Sequence, residues 1–522
     1  MSEGKITDLD EVTSFLGDYG LFQVLIMVVL SLSAVPCGYM GVIVVFVSDT
    51  PAHHCNVSVD SARIGADVEA TLQERNSWME ADSCSRYKLK ANWTETAGLS
   101  NETEQCADGW IYSTDRDTIV SEWDLVCDSA WKVPFSTSLF FVGVLIGSFI
   151  SGHLSDRFGR KPVFFFTMVL QTVTALIQAA SVSWVMFCIL NCLRGLGQIS
   201  NYITSLVLGS EMLSPSARVS FTLLGHSLGF GIGYALLPLF AYFMRGWRML
   251  LLAAAIPGFL FIPLWWVIPE SPRWLLQKGR VEEAELVIRK AAKWNRVPAP
   301  GVIFRLLNKE QTYTYMDLIR TRNMRNITIS GVFIWMSVSM VFYGLSLNTS
   351  NLNGNIYLNC FLSAAIDLVA YVATWFLVKR APRPVLLFST LMFCGIMLLV
   401  IKLVPEDMDV MSQVLALLGK MGVAGAYCFI YVFFTELIPT VVRNMGLGIA
   451  STAARLSAVI CPYVIYMGKC AFFFWLHRCI VYVLIFRLNI YVLLPDTNNS
   501  KLPDLISQAK PIRRYVCVWM CK

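Results

Sequence analysis

Long apolar runs separated by short polar breaks dominate the chain. A run near 20 apolar residues is long enough to cross the hydrocarbon of a bilayer as a helix. Twelve such runs are predicted: 21–42, 135–153, 163–183, 185–208, 219–242, 248–268, 327–347, 356–378, 384–404, 411–434, 446–468 and 471–494. The polar stretches sort them into a 1–20 terminus, a long 43–134 insertion after the first span, a 269–326 segment after the sixth, and a 495–522 tail. The expected fold is an all-α membrane protein of twelve transmembrane helices with a large extracellular loop between the first two. No cleavable signal peptide is read at the start, because 1–20 is acidic and the first apolar run is long enough to span.

Composition agrees and excludes other classes. Hydrophobic residues make up 56% and charged residues 15%, against about 45–50% and 25% in soluble domains. The net charge of +6 sits beside apolar spans rather than in a nucleic-acid-binding patch, so no nucleic-acid partner is expected. No metal cluster or nucleophile constellation marks an enzyme.

The flanks orient the chain. Residues 43–134 carry three acceptor sequons, at Asn56, Asn92 and Asn101, and four cysteines, Cys55, Cys84, Cys106 and Cys127. An even cysteine set among sequons reads as a glycosylated, disulfide-bearing extracellular domain, with three pairings open. The basic excess lies on the other side: in 152–161, in 269–325, at Lys379, Arg380 and Arg383, and in the tail. Cytosolic termini follow from the positive-inside rule and the even number of spans, and a plasma-membrane location is expected. Residues 280–296 form an amphipathic pattern, with Val281, Ala284, Ile288 and Ala291 on one stripe. A bilayer-surface helix or a bracket between the two halves fits it.

The chain also repeats itself at an offset of about 225 residues. Glu211-Met-Leu-Ser-Pro215-Ser-Ala-Arg218 follows the fourth span and Glu436-Leu-Ile-Pro439-Thr-Val-Val-Arg443 the tenth. Arg194-Gly195-Leu196-Gly197 is echoed by Lys420-Met421-Gly422, and Pro269-Glu270-Ser271 by Pro495-Asp496-Thr497. Same-direction repeats of six spans imply two parallel bundles with the substrate near the midplane between them, and transport by rocking of one bundle against the other.

Between the second and third spans stands Gly152-His-Leu-Ser-Asp156-Arg157-Phe-Gly159-Arg160-Lys161, with Pro162 behind it. The string resembles the loop between helices 2 and 3 of major facilitator superfamily transporters. Its only echo is the weaker Lys379-Arg380-Ala-Pro-Arg383. Asp156, Arg157, Arg160 and Lys161, with Glu211, Arg218, Glu436 and Arg443, are the candidate gating charges: pairs that form when the cytosolic side closes and break when it opens.

Over roughly residues 8–467 the chain further resembles the organic cation/carnitine transporters of the organic ion transporter family. The resemblance is carried by Asp10–Gly17, Ser121–Cys127, Gly197–Tyr202, Pro238–Tyr242, Pro269-Glu-Ser-Pro-Arg-Trp-Leu275 and Pro439-Thr-Val-Val-Arg-Asn-Met445. It fades after residue 467, where His477, Arg478 and Arg487 interrupt the last apolar run. Carnitine-type members read Gly-x-x-x-x-Gly-Lys-Ser after the fourth span. Here Gly209-Ser-Glu-Met-Leu-Ser214-Pro215-Ser216 breaks that pattern, so no nucleotide site is expected.

Ionisable residues deep in apolar spans are site candidates. Asp367 in the eighth span and Arg455 in the eleventh could hold the ammonium and the carboxylate of a zwitterion, or could pair with each other. The resemblance implies that members with arginine at this eleventh-span position handle carboxylates or zwitterions. Phe230, Tyr234, Trp335 and Tyr431 are candidate cation–π partners for a quaternary ammonium. Gln198, Asn201 and Tyr202 are candidates for Na⁺ as coupling ion, or for helix-to-helix hydrogen bonds. The expected function is secondary transport of a small zwitterion or organic cation, with carnitine and ergothioneine the family substrates to test and no cofactor beyond a candidate Na⁺. A polyspecific cation/anion exchanger and a non-transporting receptor are the alternatives.

Overall fold

The computed structural model describes residues 13–56, 80–89, 99–106, 108–301, 316–351, 354–378, 380–405, 408–439, 442 and 445–467. The expected twelfth span at 471–494, the tail, Asn92 and Arg443 lie outside the described residues.

Within them run α1 (Leu21–Val42), α2 (Lys132–Phe158), α3 (Arg160–Ala179), α4 (Trp184–Met212), α5 (Ser227–Phe243), α6 (Trp247–Phe259), α7 (Arg322–Leu347), α8 (Ile356–Val378), α9 (Arg383–Val400), α10 (Asp409–Leu437) and α11 (Met445–Met467). Ten of these helical runs are long and apolar enough to cross a membrane. The remaining one, α4, is as long, but its buried face is polar: Asn191, Arg194, Gln198, Asn201, Thr204 and Ser205. Such a helix belongs inside a bundle, where neighbours satisfy its side chains. It packs on α2 and α3, and behind them on α1.

Helix approach is governed by small residues. A Cβ on Gly143 of α2 would overlap the Cys192 carbonyl oxygen of α4, and one on Gly195 of α4 would overlap the Phe140 carbonyl oxygen of α2. Lipid gives helices no hydrophobic reason to associate, so this backbone contact supplies the van der Waals packing that does.

The insertion is a small β structure. β1 (His53–Cys55) pairs antiparallel with β5 (Trp110–Tyr112), while β2 (Glu80–Asp82), β3 (Ser85–Leu89) and β4 (Leu99–Gln105) form an antiparallel sheet. Of the three pairings open to its cysteines, the fold makes Cys55–Cys106 and Cys84–Cys127. Glu122 anchors the segment to α6, accepting from Trp247 Nε1 at 2.7 Å and from Arg248 Nε at 3.3 Å.

The two halves meet on the insertion side. Phe46 stacks on Tyr357 at 5.6 Å, Ser138 Oγ donates to Val459 O at 2.8 Å, and α5 lies along α8. One buried core cluster runs from Tyr39 and Phe187 in the first half to Ile356, Cys360 and Ala364 in the second.

At the opposite end the charged string is a tight corner. Gly159 takes φ +106°, a backbone conformation other residues rarely adopt, and a Cβ there would also collide with the Glu270 carboxylate. α3 starts immediately after it. Glu270 Oε1 accepts from the N–H of Arg160 at 3.0 Å and of Lys161 at 3.2 Å, satisfying two orphan donors of that helix end. Burial pushes the Glu270 carboxyl above the usual carboxylate range, against the backbone N–H groups of Ser271, Lys161 and Arg160 that pull it down.

Arg160 faces Glu211 with Nε at 3.1 Å and Nη2 at 3.1 Å, while Nη1 reaches Asp156 at 2.8 Å and the Ser155 carbonyl at 2.8 Å. The second half repeats the device. Arg383 faces Glu436 with Nε at 3.1 Å and Nη2 at 3.2 Å, and its Nη1 donates to the Val378 carbonyl. The echo that looked weak in sequence is thus a close structural copy, because only the arginine and the distant glutamate need to be kept. Both are bidentate guanidinium–carboxylate forks within one half. Lys161 lies over the Trp265 ring, Arg157 over Phe158, and Arg218 Nε donates to Ser210 O at 2.6 Å.

The amphipathic helix Val281–Asn295 packs on the first half, with Ala284, Ile288, Ala291 and Ala292 buried and Val281 exposed. Its last residue caps α1: Asn295 Oδ1 accepts from Phe22 N at 2.9 Å, and Nδ2 donates to Leu16 O at 3.1 Å.

Two outcomes follow. Gly143→Leu forces α2 off α4, at a cost of roughly 1–3 kcal/mol or more for overpacking; surface biotinylation shows a sharp fall in mature protein, and near-normal abundance would refute the close contact. Arg383→Ala and Arg160→Ala each lower the maximal uptake rate by about tenfold at matched surface abundance, with KM within about threefold, if the forks serve the conformational step; kinetics of labelled-solute uptake read this directly.

Candidate functional site

Where the halves part, they leave a cavity between them, and the space between helices of a bundle is a usual place for a small-molecule site. Helices α1, α2, α4 and α5 wall one side, and α7, α8, α10 and α11 the other. Of the residues singled out in the sequence, Phe230, Tyr234, Tyr431, Arg455, Gln198 and Tyr202 line it. Phe140, Phe141, Phe342, Tyr343, Tyr371 and Tyr427 join them and had not been singled out. Periodicity held part of that signal: Tyr427 and Tyr431 are four apart, on one face of α10.

Arg455 is the one charged group among the described lining residues. It is 2% exposed. Its Nη1 donates to Tyr427 Oη at 2.9 Å and its Nη2 to Tyr431 Oη at 3.4 Å, while Nε has no partner. A buried guanidinium held by neutral hydroxyls is a costly arrangement, because removal from water is offset only by a nearby counter-charge. Among the described residues no acid is paired with it.

Much of the rest of the wall is aromatic. Phe342 stacks on Tyr427 at 4.8 Å, Phe141 meets Tyr343 edge-on at 4.9 Å, and Tyr202 meets Phe230 edge-on at 6.0 Å. Ring faces attract alkylammonium groups through their quadrupole. The cavity therefore combines one buried guanidinium with several aromatic rings.

Three candidates lie off the wall. Trp335 packs behind it, edge-on to Tyr431 at 4.4 Å. Asn201 is spent between helices: Nδ2 donates to Phe164 O at 3.0 Å, and Oδ1 accepts from Cys37 Sγ. Gln198, although on the wall, donates from Nε2 to Cys37 O at 3.0 Å. Asp367 does not pair with Arg455. Its carboxylate faces Lys420 Nζ at 3.1 Å, and both side chains are fully buried. Sequence reading placed Lys420 only as an echo of Arg194. The clue available was that a lysine and an aspartate each sit deep in an apolar run, where neither is stable alone. Arg194 shows a different solution, donating to Met40 O at 2.7 Å and Asn191 Oδ1 at 2.6 Å, away from the cavity.

Comparison with known proteins agrees with this architecture. A family model described as sugar (and other) transporter matches residues 84–506. Organic cation/carnitine transporter 2 of Rattus norvegicus is 48% identical over 483 residues, covering 88% of this chain and 86% of its own. The Homo sapiens protein of that name is 45% identical over 524 residues, covering 96% and 94%. The organic cation transporter protein of Drosophila melanogaster is 35% identical over 481 residues, covering 88% and 87%. Among solved structures, the inward-open xylose transporter XylE from E. coli superposes with a TM-score of 0.62 at 16% identity, covering 94% of this chain and 100% of that one, a likeness of fold alone. With its two-half helical bundle, its central cavity and these relatives over most of its length, the chain belongs to the organic cation/carnitine transporters of the major facilitator superfamily.

Proposed function

We propose that the chain moves a small zwitterion bearing a quaternary ammonium and a carboxylate across the plasma membrane by alternating access. The observation that carries the reading is Arg455: a buried charge with no acid beside it among the described residues, in a cavity walled largely by aromatic and other uncharged side chains. The solute carboxylate supplies the missing counter-charge at the guanidinium edge, where Nε is unpartnered. The methylated ammonium then lies against Phe230, Tyr234 and their neighbours, where cation–π attraction replaces its hydration. A simple cation meets an uncompensated like charge here, and a dicarboxylate leaves its second charge among rings. Carnitine, named in the relatives, and ergothioneine both have the required form.

Na⁺ coupling is part of the proposal, with Gln198 and Tyr202 on the α4 wall as the candidate ion site; Asn201, spent between helices, drops out of it. So are cytosolic termini, with the insertion outside the cell and glycans on Asn56, Asn92 and Asn101; two disulfides in the insertion support an oxidising compartment. Asp367 is assigned no solute contact, since Lys420 occupies it.

Uptake of labelled carnitine and ergothioneine, with and without Na⁺, in cells lacking native uptake tests the reading. Arg455→Ala is expected to cut uptake of either by roughly 30-fold or more at equal surface abundance, the cost of losing one partner of a desolvated charge pair. Arg455→Lys does not restore it, because an ammonium cannot make the bidentate fork. Full uptake by Arg455→Ala would overturn the assignment.

A further inference from the structure

The buried pair behind the cavity wall has the form of a filled ligand site. Lys420 Nζ lies 3.1 Å from Asp367 Oδ2. It also lies 4.5 Å from the ring centroid of Tyr234 and 5.8 Å from that of Phe342. It donates to the Ser363 carbonyl at 3.3 Å, to Ser363 Oγ, and to Tyr234 Oη at 3.4 Å. One carboxylate, two aromatic rings and serine oxygens around a single ammonium are the groups a protein uses to bind an organic cation. Tyr234 and Phe342 also line the main cavity, so one wall separates the two compartments. The box draws on both halves: Tyr234 comes from α5, while Phe342, Asp367, Ser363 and Lys420 come from α7, α8 and α10.

We infer that Asp367, Tyr234, Phe342 and Ser363 form a second cation site, occupied by the chain's own Lys420, and that Lys420 is a specificity-determining residue. With its ammonium in place, Asp367 is neutralised and the cavity offers no free acid to a cation. A solute must then bring its own carboxylate to Arg455. Removing the Lys420 ammonium frees an acid–aromatic pocket beside the cavity and admits a small alkylammonium. The selectivity consequence rests on the zwitterion reading; the filled site rests on the box geometry alone.

The test uses the purified full chain and methylammonium or tetramethylammonium chloride, against NaCl at matched ionic strength. In Lys420→Ala, either ammonium raises the melting midpoint well above any shift in the unaltered chain. Lys420→Ala combined with Asp367→Asn loses that extra shift, because the carboxylate that called for a cation is gone. In cells, tetramethylammonium inhibits uptake by the Lys420→Ala chain about tenfold more strongly than uptake by the parent. If Lys420→Ala is recovered in too small an amount, Lys420→Gln keeps most of the stem volume and gives the same readouts, and recovery of Lys420→Ala only in cells grown with the ammonium also supports the site. Equal melting shifts in the parent, the single and the double variants, or none in any, would overturn the inference. The melting readout does not depend on Arg455, so failure of the zwitterion reading leaves it standing.

Discussion

Charge held inside a bilayer has to be matched, and each match in this chain positions something. Arg160–Glu211 and Arg383–Glu436 tie the starts of α3 and α9 to the ends of α4 and α10. Asp367–Lys420 joins α8 to α10. Arg194 leans on a carbonyl and an asparagine, with the Phe140 ring beneath it. Arg455 alone among these faces the central cavity, where among the described residues it is met by tyrosine hydroxyls. Among the described residues, the other deep charges named here are held by acids or by neighbouring helices, and Arg455 is the one that faces open space.

The cavity is what remains when close packing stops. Glycines bring α2 against α4 and α1 against α5 until backbones touch. Where bulky aromatics replace them, on α5, α7 and α10, the halves are held apart and space opens. Tyr234 stands at the boundary between these regimes. Its ring faces the cavity, and its hydroxyl, 3.1 Å from Ser363 Oγ, belongs to the contact between halves. One side chain thus belongs both to the cavity wall and to the contact between the halves.

Much of this was legible in the chain. Apolar runs of spanning length identify helices because hydrocarbon leaves a backbone no other way to satisfy its hydrogen bonds. The repeated Glu–Arg spacing around Pro215 and Pro439 marks two like halves, and a run interrupted by Asp367 or Arg455 marks where charge is buried. Those readings need only local composition, and local composition is set by the solvent each segment meets.

What linear order could not decide is which buried groups meet. Asp367 and Lys420 are partners 53 residues apart, and Arg160 finds Glu211 51 residues away, through helix packing that no spacing rule encodes. The same packing turned Trp335 and Asn201 away from the cavity, brought Tyr343 and Tyr427 onto it, and chose one cysteine pairing among three. Sequence determined that this chain spans a membrane as two related bundles and where its costly charges lie. Tertiary structure decided which of those charges pair with each other and which one faces the cavity, because neutralisation depends on distance in space.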